Sequence, residues 1–244
     1  MKYLKKFENH AAYEAAKSGL ILPNVSLCVN ENEVHYNPSS PTPPTPSHDY
    51  VEIGGIKWAT MNIGANSITD GGLYFQWGDT QGYTADQVTG SSTPHKSFIS
   101  GDYKYSNGGS QASDMTKYNA TDGKTVLDAS DDAVTAAWGG NWRMPTIEEC
   151  IVLNNAVNAT WTDDYQGSGV AGNVCTDKTD NSKILFLPGG GFCDDDYIEG
   201  EGSTLVYWTS SISNDNSSAM SFSGEDTTER LRQYGAYVRG ILDE

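Results

Sequence analysis

Hydrophobic and polar positions along the chain alternate in short runs, and few stretches carry the three-to-four-residue spacing of a helix. Val51-Glu52-Ile53 and Ile56-Lys57-Trp58 flank Gly54-Gly55, which predicts a hairpin closed on two glycines. Ser130-Asp131-Asp132 ahead of Ala133–Trp138, with Gly139-Gly140 behind, predicts a short capped helix. Thr146-Ile147-Glu148-Glu149 has capping-box spacing, and Ile147, Cys150, Ile151 and Leu153 supply an apolar side to a second helix. Lys183–Pro188, closed by Pro188 and three glycines, predicts a buried strand. Val206–Thr209, Ala219–Ser223 and Ala236–Ile241 predict further short strands, with long polar loops between them. A few helices and many short strands make the body α+β.

Prolines divide the chain. Five of nine fall between Asn37 and His48, where fixed φ and missing N–H donors favour an extended, semi-rigid segment. Before it, alanine-rich Asn9–Lys17 reads as a helix and Val25–Tyr36 as a hairpin. The predicted organisation is a helix-hairpin attachment segment at residues 1–36, a linker at 37–48 and a body at 49–244. The head is too small to bury a core unaided, so it is expected to dock on something larger or on copies of itself.

Composition removes several functions. The 244 residues carry a formal net charge of −17, the wrong sign for displacing counterions from nucleic-acid phosphates or for an anionic membrane surface. No apolar run reaches the roughly 20 residues that cross a bilayer, and the basic start is followed by no signal-peptide apolar segment. Cys28, Cys150, Cys175 and Cys193 form no C-x-x-C pair; a Cys175–Cys193 bridge was weighed against buried free thiols, and free thiols are expected. The four histidines lack ligand spacing, so no metal site and no cofactor are expected. Gly167–Gly172 spells G-x-G-x-x-G, but strand-like Asn173–Asp177 follows, so it reads as a loop rather than a nucleotide site. Asp194-Asp195-Asp196 with Glu199 and Glu201 matches no calcium loop and reads as a solvated acidic segment. The tryptophans are expected in the core, and Arg143 and Arg239 are expected to need carboxylate or carbonyl partners, with Asp79 or Asp131 as candidates.

The stretches Trp58–Ala65, Tyr74–Thr80, Thr116–Asn119, Lys124–Asp128, Trp138–Thr146, Phe186–Phe192, Tyr207–Ser211 and Tyr234–Gly240 resemble, in order and spacing, the Fibrobacter-major-paralogue type of domain found in Bacteroidetes. That resemblance implies a C-type-lectin-like fold of the formylglycine-generating-enzyme branch, related to the variable proteins of diversity-generating retroelements. Phe7–Glu14, Leu22–Ser26 and Val34–Asn37 resemble the N-terminal segment of Bacteroides phage structural proteins. Together they imply a non-enzymatic adhesin or receptor-binding display protein, phage- or prophage-encoded, held on a virion or other assembly by residues 1–36. Its localisation would be the virion, or extracellular after release, and its partner a protein or glycan on a bacterial surface. Homo-oligomerisation is a further expectation for the head. The alternatives are an enzyme of the formylglycine-generating type and a purely structural virion decoration protein. Gly240 stands where those enzymes carry a cysteine, which speaks against the first.

The segment from Ser210 to Tyr234 is rich in Ser, Asn, Asp, Gly and Tyr, the adaptable residues of binding loops. The resemblance implies that ligand contacts lie here. The expected binding residues are Ser211, Ser213, Asn214, Asn216, Ser221, Ser223, Glu225, Asp226, Arg230, Gln233 and Tyr234, joined into one surface with Arg230 and Tyr234 as anchors. Phe222 and Met220 are expected to face the core, and Ser221 and Ser223 the solvent.

Overall fold

The computed structural model describes residues 27–30, 33–36 and 48–244. The chain divides into two compact units, Met1–Ser47 and His48–Glu244. In the first, strands β1 (Leu27–Asn30) and β2 (Glu33–Tyr36) pair antiparallel, Leu27 opposite Tyr36. The helix expected at Asn9–Lys17 and the linker up to Ser47 lie outside the described residues.

The second unit is a sheet-rich α+β body. It opens with the expected hairpin, β3 (Tyr50–Ile53) and β4 (Ile56–Asn62), whose connecting Gly54 and Gly55 both have positive φ, at 63° and 77°. That backbone region is open to glycine at little cost. It closes with β15 (Gly235–Leu242), which lies antiparallel to β4, so the opening hairpin and the last strand of the body are neighbours. Around β15 the chain adds β5 (Phe75–Gln76), β6 (Trp142–Arg143), β10 (Phe192–Asp194), β11 (Tyr197–Glu199) and β12 (Tyr207–Ile212). Beyond β12 come β13 (Ser218–Phe222) and β14 (Thr227–Leu231), both antiparallel to their neighbours. A separate three-stranded sheet holds β7 (Val157–Thr162), β8 (Gly172–Asp177) and β9 (Ile184–Pro188). Helices are short: α1 (Ala85–Thr89), α2 (Ala133–Trp138) and α3 (Ile147–Ala156).

Helix starts follow the sequence. The Asp132 carboxylate accepts from Thr135 N at 2.9 Å and from Met144 N at 2.8 Å, so one side chain caps α2 and fixes the chain beyond it. Thr146 and Glu149 close the reciprocal box at α3. Ile151 departs from expectation: it is exposed, because only Cys150 and Leu153 of α3 are fully covered. A larger departure concerns Gly224–Tyr234, expected as a polar loop. Its middle is strand β14, with Leu231 opposite Ser218 and Thr227 opposite Phe222. Alternating Thr227, Glu229 and Leu231 were masked by their charged neighbours, and strand pairing decided the outcome.

The period of two sends successive residues of one strand into opposite cores. Tyr207, Phe222, Tyr237 and Ile241 join Trp58, Cys150, Leu153 and Leu187 on one face. Trp208, Ala219, Ala236 and Val238 join Trp77, Trp142 and Phe75 on the other. Trp161 is the exposed exception among the tryptophans, its Nε1 donating to Asp163. His48 is no plain surface residue: its ring stacks on Trp138 at 4.0 Å.

Arg239 is fully buried in β15 and has no carboxylate partner among the described residues. Its guanidinium donates to Asn62 Oδ1 at 2.8 Å, Ala59 O at 2.8 Å and Phe186 O at 3.1 Å. Arg143 finds Glu149 and Asp243, not the Asp79 or Asp131 suggested by sequence, because β6 lies against the start of α3 and the C-terminal residues. Replacing Arg239 with Met would leave three buried acceptors without donors. Arg239→Met should cost about 3 kcal/mol or more in urea unfolding, because each buried acceptor left without a donor costs about 1–3 kcal/mol; a loss under about 1 kcal/mol would show that the three contacts are not a structural hub.

Candidate functional site

Three segments distant in sequence build a cleft of about 530 Å³. The first is the turn between β12 and β13. Asp215 folds it: its Oδ1 accepts from Ser213 Oγ at 2.8 Å, Ser217 N at 2.9 Å and Ser218 N at 3.0 Å. Asn216 takes a positive φ of 59°, a conformation asparagine tolerates better than most residues. These bonds hold the Asp215 carboxyl below its usual range although burial works the other way. The second segment is the start of α3, where the Ile147 amide donates to Ser211 Oγ at 3.0 Å. The third is Thr125–Leu127, which runs beside β12: Leu127 N donates to Ser210 O and Ile212 N to Thr125 O, each at 2.9 Å.

Val126, Ile147, Ile212 and Met220 line this cleft as partly exposed aliphatics. The polar lining is Thr125, Glu148, Ser211, Ser213, Asn214 and Asn216. Ser211 and Ser213 are committed to the frame and are only 5% and 3% exposed. Among the described residues, the Asn214 and Asn216 amides and the Glu148 carboxylate have no partner within the protein. A concave surface that sets aliphatic side chains beside a few polar groups free to bond outward has the make-up of a ligand site.

The structure brings together four of the eleven expected residues, Ser211, Ser213, Asn214 and Asn216, and separates the rest. Ser223, Glu225 and Asp226 form the β13–β14 turn, at the opposite end of β13 from the cleft turn. Arg230 lies across from Ala219, on the sheet face opposite Met220, and stacks at 4.5 Å on Phe192. Tyr234 packs on the same Phe192 ring at 5.3 Å, so the two expected anchors meet each other and not the cleft. Gln233 presents its carbonyl to Gln76 Nε2 at 3.0 Å. Ser221 was expected outward and is 1% exposed; β13 is paired on both edges, and Ser221 Oγ faces Thr228 Oγ1 at 2.9 Å. Met220, expected in the core, is only half-buried because the cleft opens over it.

Thr125, Val126, Ile147, Glu148, Ile212 and Met220 were missed as site residues. Glu148 and Ile147 were legible only as helix start, and Met220 only as core. Nothing local to Val126 announces a bridge to Ser211, 85 residues away.

Ionisable groups elsewhere are tied into a network around Asp131. Lys117 and the Tyr118 hydroxyl bind its Oδ2, and Lys104 lies 3.7 Å from Oδ1. Burial favours the protonated carboxyl, but hydrogen bonds from Lys117, Tyr105 and Tyr118 and the charge of Lys104 prevail and hold it at about 2. Lys117 is raised, chiefly through Asp128, and Tyr118 is pushed up to about 12 by burial. The thiols of Cys150, Cys175 and Cys193 are free, buried and raised by burial, Cys175 to about 12. Asp194–Asp196 is no metal cluster: Asp196 is taken by Ser97 and His95, and no group of three or more acidic, His or Cys side chains among the described residues is placed to hold an ion. Gly167 ends a single 3₁₀ turn, Tyr165–Gly167, and Gly169 lies in the loop that then enters β8, so neither sits at a helix start. No helix among the described residues is long and apolar enough to cross a membrane. Compared with family models, with curated proteins and with solved structures, the chain finds no match.

Two predictions follow from this geometry. Asp215→Ala removes the carboxylate that four donors share and should lower stability by about 1–3 kcal/mol, whereas Asn214→Ala should move it by under about 0.5 kcal/mol; equal effects in chemical denaturation would contradict the division into frame and free groups. Asp131 has a folded pKa of about 2 against an ordinary 3.8. The folded state therefore prefers the ionised form, and its contribution is complete above pH 4 and lost as pH falls from about 4 to about 2. The acid-denaturation curve of Asp131→Asn should be flatter over that window than wild type; identical slopes would sink the assignment.

Proposed function

We propose that the body is a non-enzymatic ligand-binding module on a C-type-lectin-like fold of the formylglycine-generating-enzyme branch. It belongs to an adhesin or receptor-binding display protein, phage- or prophage-encoded, in which residues 1–36 attach to a virion or other assembly. The C-terminal hairpin is its variable part, a region open to diversification by a retroelement, and the partner lies on a bacterial cell surface. The observation that carries this reading is the cleft: the turn expected from sequence to bind ligand forms one wall of a concavity of about 530 Å³ and offers two amides with no partner among the described residues. The face is smaller than the sequence implied. It excludes Ser221 and the Glu225–Asp226 turn and gains Val126, Glu148 and Met220.

The thiols weigh against the formylglycine-generating alternative. Reactive cysteines need thiolate character and access, and Cys150, Cys175 and Cys193 are buried with raised pKa values. The decoration-protein alternative is separated by experiment. A library randomised at Val126, Glu148, Asn214, Asn216 and Met220, displayed and sorted first for folding and then on intact Bacteroidetes cells, should yield mostly folded members whose cell binding differs from wild type. A library that folds and leaves cell binding uniform would place the ligand site elsewhere or remove it altogether.

A further inference from the structure

The chemistry of the cleft narrows the class of ligand, on the reading that the cleft is the binding site. The apolar part of its lining is wholly aliphatic: Val126, Ile147, Ile212 and Met220. Such walls accept branched or linear aliphatic side chains through close packing and loss of apolar surface from water. They offer the flat face of a sugar ring no aromatic plate; Phe192 and Tyr234, the nearest such pair in the expected site, lie on the other face of the sheet. The Asn214 and Asn216 amides each combine a donor and an acceptor, the complement of a peptide group. Glu148 adds one carboxylate that forms no ion pair among the described residues. The acidic side chains nearest in sequence are already engaged, Glu149 by Arg143 and Asp215 by the turn it folds. Lys104, Lys117, Lys124 and Arg143 are likewise paired with carboxylates of their own.

We infer that the cleft binds an extended peptide segment of a protein partner, in which an aliphatic side chain enters between Val126, Ile147 and Met220 and an adjacent Lys or Arg pairs with Glu148. The asparagine amides hold the peptide groups between them. The chain's formal net charge of −17 adds long-range attraction for such a segment. A polar rim of amides and one carboxylate around an aliphatic floor also sets selectivity: an acidic residue beside the aliphatic one meets Glu148 as a like charge.

The experiment uses the full chain. A phage-displayed random heptapeptide library is panned on it, and the same protein is applied to a glycan array. Enriched peptides should place Leu, Ile, Val or Met next to Lys or Arg. A synthetic consensus peptide, measured by isothermal titration, should bind about fivefold more weakly to Glu148→Gln. Glu148→Lys should reverse the preference, losing basic peptides and gaining their Glu-substituted versions. Both variants should keep the wild-type Tm; if Glu148→Lys does not fold, Glu148→Gln alone decides. Enriched peptides without a basic residue, or affinity indifferent to Glu148→Gln, overturn the inference. Capture of glycans in place of peptides, abolished by Asn214→Ala, overturns the peptide class while leaving the cleft as the binding site. Capture of neither class overturns both.

Discussion

The Arg239 guanidinium fixes the positions of three strands at once. Placed in the last strand, it reaches Ala59 and Asn62 in β4 and Phe186 in β9, so the two ends of the body and the separate small sheet share one donor group. Its acceptors are carbonyl and amide oxygens, and burial draws its pKa down. An arginine tolerates this because its five N–H groups can be satisfied by neutral oxygens while its charge remains delocalised. Arg232 repeats the device, fully buried between Trp77 and Tyr103 and donating to the carbonyls of Lys117 and Tyr118 at 3.0–3.1 Å. Both cations stitch the C-terminal segment to parts of the chain more than 100 residues earlier.

The cleft is a by-product of that stitching. With β15 pinned to β4, β12 lies beside it in parallel and β13 follows by hairpin. The Thr125–Leu127 segment and the α3 start then close on the free end of β12. Ser210 and Ser211 spend their polar groups on Pro145 O and Ile147 N, which frees the next residues, Asn214 and Asn216, from structural duty. Frame and free positions therefore alternate within a few residues of each other.

Sequence alone reached some of this and not the rest, for identifiable reasons. Elements with local punctuation were legible: Gly54-Gly55 at the hairpin, Asp132 and Thr146 at helix caps, Pro188 at the end of β9. The α+β class followed from them. Strand β14 was illegible because Glu229 and Arg230 break its apolar alternation, and only pairing with β13 reveals it. Without β14, the turns before and after β13 looked like neighbours; with it, they stand at opposite ends of a five-residue strand. The site was accordingly half legible. Ser211 through Asn216 follow from composition, whereas Val126 and Glu148 depend on long-range closure that no local pattern encodes. The partners of Arg143 were missed for the same reason: Glu149 is six residues away on the next element, and Asp243 is 100 away.

The three cysteines of the body carry a consequence of another kind. Cys150, Cys175 and Cys193 sit in the packed interior as small apolar groups, unbridged. The body therefore owes none of its stability to a disulfide, and its folding needs no thiol oxidant. Sealed thiols also resist mixed-disulfide formation and peroxide. A body of this kind keeps one covalent state from the reducing interior of a cell to an oxidising exterior, and can be made in the first and used in the second without chemical maturation.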